Sequence, residues 1–303
     1  MHASGRWVRL GVAAIAVVLA VSVTTTGPDA VAASSRAARA GSSTREPAAV
    51  KVSYGSSPLQ AITVYPSNAP AAPLVVMVPG DGWHSAVNQN MQVATAKALQ
   101  SAGFAVFDTN YRGDSATLAA FPMEIDDIVS ATDYAIAHSG QYGANPAKVT
   151  LLGGSAGGQL AAFATEVMNA ATPHKVATVV TLSGPFDFPL AIAYWSALTG
   201  GTAATHLENQ LDALGCHPAA ACSATLENRW STDKHVTAAD CPARWLLMNA
   251  SAEEMPVQQA DAMTAAAHSA GCNVTETIFQ STLHGFHYYA AEKSTINAFI
   301  AAG

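Results

Sequence analysis

Between Ala61 and Gln280 the chain alternates two kinds of segment. One kind is short and apolar throughout. Pro73–Gly80 reads "PLVVMVPG" and Lys148–Gly153 reads "KVTLLG". A run of this length, without polar alternation, suits a strand covered on both faces. The same reading applies to "AITVYP" from Ala61, "FAVFDTNY" from Phe104, Val176–Ser183, Arg244–Asn249 and Val274–Gln280. The other kind is longer and amphipathic. In Pro122–Ser139, residues Ile125, Ile128, Val129, Thr132 and Ile136 recur at helical spacing, with proline in the first turn. Asn88–Ala102, Ser155–Ala170 and Pro256–Ala270 also read as helices, and Gly103 and Gly271 stop two of them.

Strands alternating with helices call for parallel pairing and a sheet covered on both sides, an α/β fold. Ligands of such sheets bind beyond the carboxyl ends of the strands. The rhythm breaks over 186–240, an irregular stretch holding Trp195, Trp230, "LTGG" and two close cysteines. This stretch is expected to be a lid-like insertion over the carboxyl edge, a wall of the pocket.

The N-terminus breaks the pattern differently. Arg6 and Arg9 precede an apolar run, Leu10–Val23, that is shorter than the ~20 residues a membrane span needs. Ala30-Val31-Ala32 then offers small residues at the spacing of a cleavage site. The expected organisation is a signal peptide over 1–32, cleaved near Ala32, a disordered leader over 33–50 and one α/β domain over 51–303. The protein is then secreted, with no stable membrane anchor; an uncleaved anchor is the rival reading. Charge adds an exclusion. Only 12% of residues are charged, and 21 acidic outnumber 14 basic ones, against the basic face a nucleic-acid partner requires.

Export makes the four cysteines interpretable as disulfides. Four cysteines allow three pairings. Cys216 and Cys222 are neighbours in "CHPAAAC", and Cys241 and Cys272 each stand just before a strand. Parallel neighbouring strands would bring the latter two to one end of the sheet. Cys216–Cys222 and Cys241–Cys272 are therefore the expected bridges. A metal site needs paired Cys or His at short spacing, and His217 beside Cys216 is the sole hint of one.

The candidate chemistry lies in "VTLLGGSAGGQLAAFA", Val149–Ala164. Strand runs into helix at Ser155 with almost no loop, so the serine sits at a strained apex. Gly153 and Gly157 complete Gly-x-Ser-x-Gly; side chains there would collide with their neighbours. The motif alone also fits a glycine-rich turn. A phosphate loop is excluded, because Gln159 stands where Lys would follow the last glycine. A nucleophilic serine needs a base, and the base needs a carboxylate. Glu253 and Glu254 follow one later strand, and His284 and His287 follow the next, so acid and histidine fall in the required order. Glu253 and His284 are preferred; Glu254 and His287 remain rivals.

These residues resemble the α/β-hydrolase fold, within the group of hormone-sensitive lipase, bacterial feruloyl or acetylxylan esterases and kynurenine formamidase. The resemblance covers the chain from about Lys51 and rests on "QYGANPAKVTLLGGSAGGQLA", "NASAEEMPVQQADAMTAAAHSAG" and "STLHGF". It implies catalysis by Ser155, Glu253 and His284 on a small-molecule ester, with no metal or organic cofactor. An amidase, an acyltransferase or a non-catalytic binding protein on the same scaffold are the alternatives. The departure is at "MVPGDGWHSA", where the family has His-Gly-Gly-x-Trp. Pro79 replaces the histidine and Asp81 a glycine, while Gly80, Gly82 and Trp83 match. The resemblance implies an oxyanion hole made by the amides of Asp81, Gly82 and Ala156, with the Asp81 carboxylate turned away.

Overall fold

The seven apolar runs become β2 (Ala61–Tyr65), β3 (Ala72–Val78), β4 (Ala105–Thr109), β5 (Ala144–Gly154), β6 (Thr178–Leu182), β7 (Arg244–Ala250) and β8 (Asn273–Phe279), and an eighth strand, β1 (Val50–Ser53), precedes them. In this computed structural model the residues described are 45–84, 92–114, 118–218 and 221–303. The expected signal peptide and most of the expected leader lie outside them. Arg45–Gly303 is one compact unit.

The strands form one sheet in the order β1-β2-β4-β3-β5-β6-β7-β8. The β1/β2 and β2/β4 pairs are antiparallel, and every pair from β4 through β3 to β8 is parallel. The amphipathic runs become α1 (Val93–Ser101), α2 (Met123–His138), α3 (Ala156–Ala171) and α7 (Gln258–Ala270). Side chains of β3 alternate between two layers. Leu74, Val76 and Val78 join Ile125 and Ile128 of α2 and Leu160 of α3. Val75 and Met77 join Ala96 and Leu99 of α1, together with Ile296 and Ile300 of α8 (Tyr289–Ala301). The inner strands β2 to β7 are thus largely buried on both faces, which is why their sequences carry little polar alternation, whereas the edge strands β1 and β8 are partly exposed.

The structure departs from the sequence reading in three places. Val50, assigned to the leader, opens β1. The C-terminal helix α8 was not expected. The insertion is helical: α4 (Phe188–Ala197), α5 (Gly201–Leu214) and α6 (Ala224–Trp230) fill the stretch read as irregular. Its local signals are ordinary ones. Asp187 caps α4 through the Leu190 amide at 2.8 Å, with proline following, and Ser223 caps α6 through the Leu226 amide. Gly215 ends α5 in the left-handed region. The apolar positions of α4 show no clean stripe, because apolar residues such as Ala193 and Tyr194 also occupy its exposed face.

The two ends of the insertion are fastened together. The Phe188 amide donates to Ser231 Oγ at 2.9 Å, and Lys234 Nζ reaches Asp187 Oδ2 at 2.8 Å. Gln259 of α7 accepts both the Phe186 and Asp187 amides through Oε1 and donates to Asp187 O through Nε2. Both expected disulfides are present, Cys216–Cys222 and Cys241–Cys272. The second joins the leading ends of β7 and β8, where Arg244 pairs with Asn273.

Candidate active site

The carboxyl ends of the strands surround a cavity of about 500 Å³, lined in part by Gly80, Asp81, Ser155, Glu254, His284 and His287. Ser155 stands between β5 and α3 with φ 54° and ψ −129°, an unfavourable conformation for a residue with a side chain. The turn is fixed on both sides. The Ser155 amide donates to Leu182 O, and Ser155 O accepts from the Gly158 amide, each at 2.8 Å. The flanking glycines are required sterically. A Cβ on Gly153 would strike the Gly157 carbonyl, and one on Gly157 would strike the carbonyls of Val78 and Pro79. Ala156, buried, is the first residue of α3.

Glu253 follows β7, and its side chain is wholly buried. Its Oε1 accepts from the Ala250 amide at 2.7 Å and from Ser183 Oγ at 2.8 Å. Its Oε2 meets His284 Nδ1 at 2.5 Å. That pairing orients the imidazole and leaves Nε2 for chemistry; among the described residues Nε2 is buried without a hydrogen-bond partner. The rival acid is on the other side of the ring. Glu254 Oε1 lies 3.5 Å from His284 Nε2, while Oε2 lies 3.3 Å from His206 Nε2 of α5. His206 in turn stacks on Trp195 of α4, with ring centroids 4.5 Å apart. His287 is exposed at the cavity rim.

Ser183 escaped the sequence reading. It lies just past β6, also with a positive φ, 61°. Its Oγ donates to Glu253, accepts from the Gly285 amide at 3.0 Å and lies 3.2 Å from Tyr288 Oη. Tyr288 Oη also donates to Met248 O at 2.9 Å. One hydroxyl therefore ties the acid loop to the histidine loop. Its position at a strand's carboxyl end was the available signal.

The unusual loop is closely held. Asp81, Gly82 and Trp83 have φ of 83°, 63° and 67°, three left-handed residues in succession. The His84 amide donates to Asp81 O at 3.2 Å, closing a tight turn around Gly82 and Trp83. Asp81 is exposed, and Trp83 is buried. Trp83 Nε1 donates to Gln159 Oε1 at 3.2 Å, and its ring packs on Phe121 and Phe188. Tyr111 Oη donates to Pro79 O at 2.9 Å. Burial, helped by nearby Glu124, Asp81 and Asp114, holds the Tyr111 hydroxyl well above its ordinary titration range, so it stays a donor. The Pro79 carbonyl thus anchors this loop to Tyr111.

This arrangement, a serine at a strained strand–helix apex lining the same cavity as a carboxylate-bound histidine, coincides with a family match. The BD-FAE family model matches residues 62–265, more than half of the chain. The protein belongs to the BD-FAE family. No curated protein matches it in sequence. Solved structures share its α/β-hydrolase fold at low identity. The acetyl ester-xyloside bifunctional hydrolase of Caldicellulosiruptor lactoaceticus is 18% identical with a TM-score of 0.63, covering 85% of this chain and 95% of its own. Carboxyl esterase 2 of the fungus Tuber melanosporum is 17% identical with a TM-score of 0.66, covering 86% and 88%. Esterase 2 of Thermogutta terrifontis, phosphonylated by sarin, is 16% identical with a TM-score of 0.63, covering 85% and 98%. This BD-FAE chain therefore carries the α/β-hydrolase fold. Among the described residues no helix is long and apolar enough to cross a membrane.

Proposed function

We propose that this protein is a secreted carboxylesterase-type serine hydrolase acting through an acyl-enzyme on Ser155. The observation that carries the reading is the Glu253–His284 pair, at 2.5 Å, opening onto the same cavity as Ser155. The esterases among its structural neighbours support the reaction class. The two disulfides and the basic-then-apolar N-terminus support export.

The chemistry follows from the placement. Ser155 Oγ attacks the ester carbonyl carbon while His284 Nε2 takes the hydroxyl proton. The imidazolium shares its Nδ1 proton with buried Glu253, which stabilises the charge. The carbonyl oxygen becomes an oxyanion facing the amides of Asp81, Gly82 and Ala156, at the positive end of α3. The tetrahedral carbon then releases the alcohol, which leaves with the Nε2 proton. Water, deprotonated by the same nitrogen, attacks the acyl-serine and frees the acid. The cavity of about 500 Å³ suits a small ester.

Ser155→Ala is expected to abolish hydrolysis of p-nitrophenyl acetate while leaving thermal unfolding unchanged. A fluorophosphonate probe should label the wild-type protein at Ser155 and leave the variant unlabelled. Retained turnover in the variant overturns the assignment.

A further inference from the structure

His84 directly follows the three left-handed residues of the loop beside Ser155. Its two ring nitrogens face two different elements. Nδ1 lies 2.8 Å from Asp114 Oδ1, and Nε2 lies 2.9 Å from Asn209 Oδ1 on α5. In the amide orientation that Asn209 adopts here both partner atoms are acceptors, and the imidazolium, with two N–H donors, satisfies both contacts at once. Asp114 is 1% exposed, and its amide donates to Trp83 O at 2.8 Å. Asn209 is also the atom group nearest Gly82: a Cβ there would strike its side-chain amide. The turn is therefore gripped from the loop at Asp114 and from the insertion at once.

Resting on the hydrolase reading above, we propose that His84, as an imidazolium bound between Asp114 and Asn209, is the positioning residue that holds the Asp81–Trp83 turn in its oxyanion-binding shape. The charges around it fit. Asp114 and Asp81 are the carboxylates that face the ring; Asp212 of α5 and Glu124 of α2 stand next to Asp114. Asp212 is itself paired with His217. Partial burial lowers the ring's proton affinity, but the bonds to Asp114 and Asn209 and the nearby carboxylates outweigh it, and the net direction is upward. A glycine at position 81 makes left-handed backbone accessible without strain. Here the side chains grip the turn instead.

The test measures the rate at which a fluorophosphonate probe phosphonylates Ser155 in the full chain, from pH 5 to 9.5. This readout needs the oxyanion hole but no knowledge of the natural ester. The wild-type rate is expected to fall at alkaline pH as His84 loses its proton. His84→Ala should react at least tenfold more slowly and lack that alkaline fall. Because His84→Ala strands buried Asp114 and is at risk of unfolding, Asn209→Ala is the second variant. It keeps the His84–Asp114 pair, should unfold within about 2 °C of wild type, a shift of ~1 kcal/mol or less, and should still react several-fold more slowly. If wild type is not labelled at Ser155, the hydrolase reading fails. If wild type is labelled and both folded variants match its rate and pH profile, the hydrolase reading stands and the clamp is overturned.

Discussion

Replacing Ser183 with alanine should damage stability and turnover together. The hydroxyl donates to the Glu253 carboxylate at 2.8 Å and accepts the buried Gly285 amide at 3.0 Å. A hydrogen bond to a charged acceptor contributes ~1.5–3 kcal/mol, and a stranded buried amide costs ~1–3 kcal/mol. Tyr288 keeps Met248 O as a partner, so it adds little. The expected loss for Ser183→Ala is therefore about 3–5 kcal/mol by urea unfolding. Ser183 has a positive φ of 61°. Ser183→Gly loses the same bonds but relieves the backbone, so it should be about 1 kcal/mol more stable than the alanine variant. On activity, Glu253 retains only the Ala250 amide and His284, so kcat for p-nitrophenyl acetate should fall about tenfold in both variants, equivalent to ~1.4 kcal/mol. If both variants unfold within 1 kcal/mol of wild type, the hydroxyl is not the tie between the two loops.

Three further outcomes follow from neighbouring features. Glu254 lies 3.5 Å from His284 Nε2 at the cavity wall, where a charge pair about 4 Å apart in water is worth ~1 kcal/mol. Glu254→Gln should therefore narrow the preference for p-nitrophenyl acetate over the anionic p-nitrophenyl hemisuccinate by about fivefold in kcat/KM; an unchanged ratio removes Glu254 from the substrate's surroundings. Asp81→Gly relieves a φ of 83°, offset by the greater freedom of the unfolded chain, so Tm should hold or rise slightly and esterase rate should hold or rise. A fall in rate would show that the carboxylate is needed. Asp108 is buried without a partner among the described residues, and burial pushes its carboxyl up to about 8. Its proton is held more tightly folded than unfolded, so the folded state is favoured at low pH and loses ground as pH rises through that value. Asp108→Asn should raise Tm more at pH 9 than at pH 5, and equal shifts would refute this.

The inner sheet and its flanking helices were legible because strands β2 to β7 are largely buried on both faces and the helices present one apolar face; β1, an exposed edge strand, was not. Runs such as "PLVVMVPG" carry that information without any partner being known. The same held for Ser155, since strand, glycines and helix are contiguous. Glu253 was harder, because adjacent glutamates differ only in which ring nitrogen each faces, and that depends on Ser183 and Ala250 rather than on spacing. The insertion was misread because α4 is apolar without a stripe, although Asp187 and Ser223 were readable caps. The His84 contacts were not legible at all. Asp114 lies 30 residues away and Asn209 lies 125 away, and no periodicity links them.

The fastened ends of the insertion give it the character of an exchangeable cassette. The chain leaves the scaffold at Asp187 and returns at Ser231 through the same small knot of bonds with Gln259 and Lys234. Glu253 and His284 are held by Ser183 and Ala250, which lie outside that segment. The cassette carries His206 and Asn209 into the cavity wall. Diversification of this one segment would alter the shape offered to a substrate and the loop beside the nucleophile in a single step.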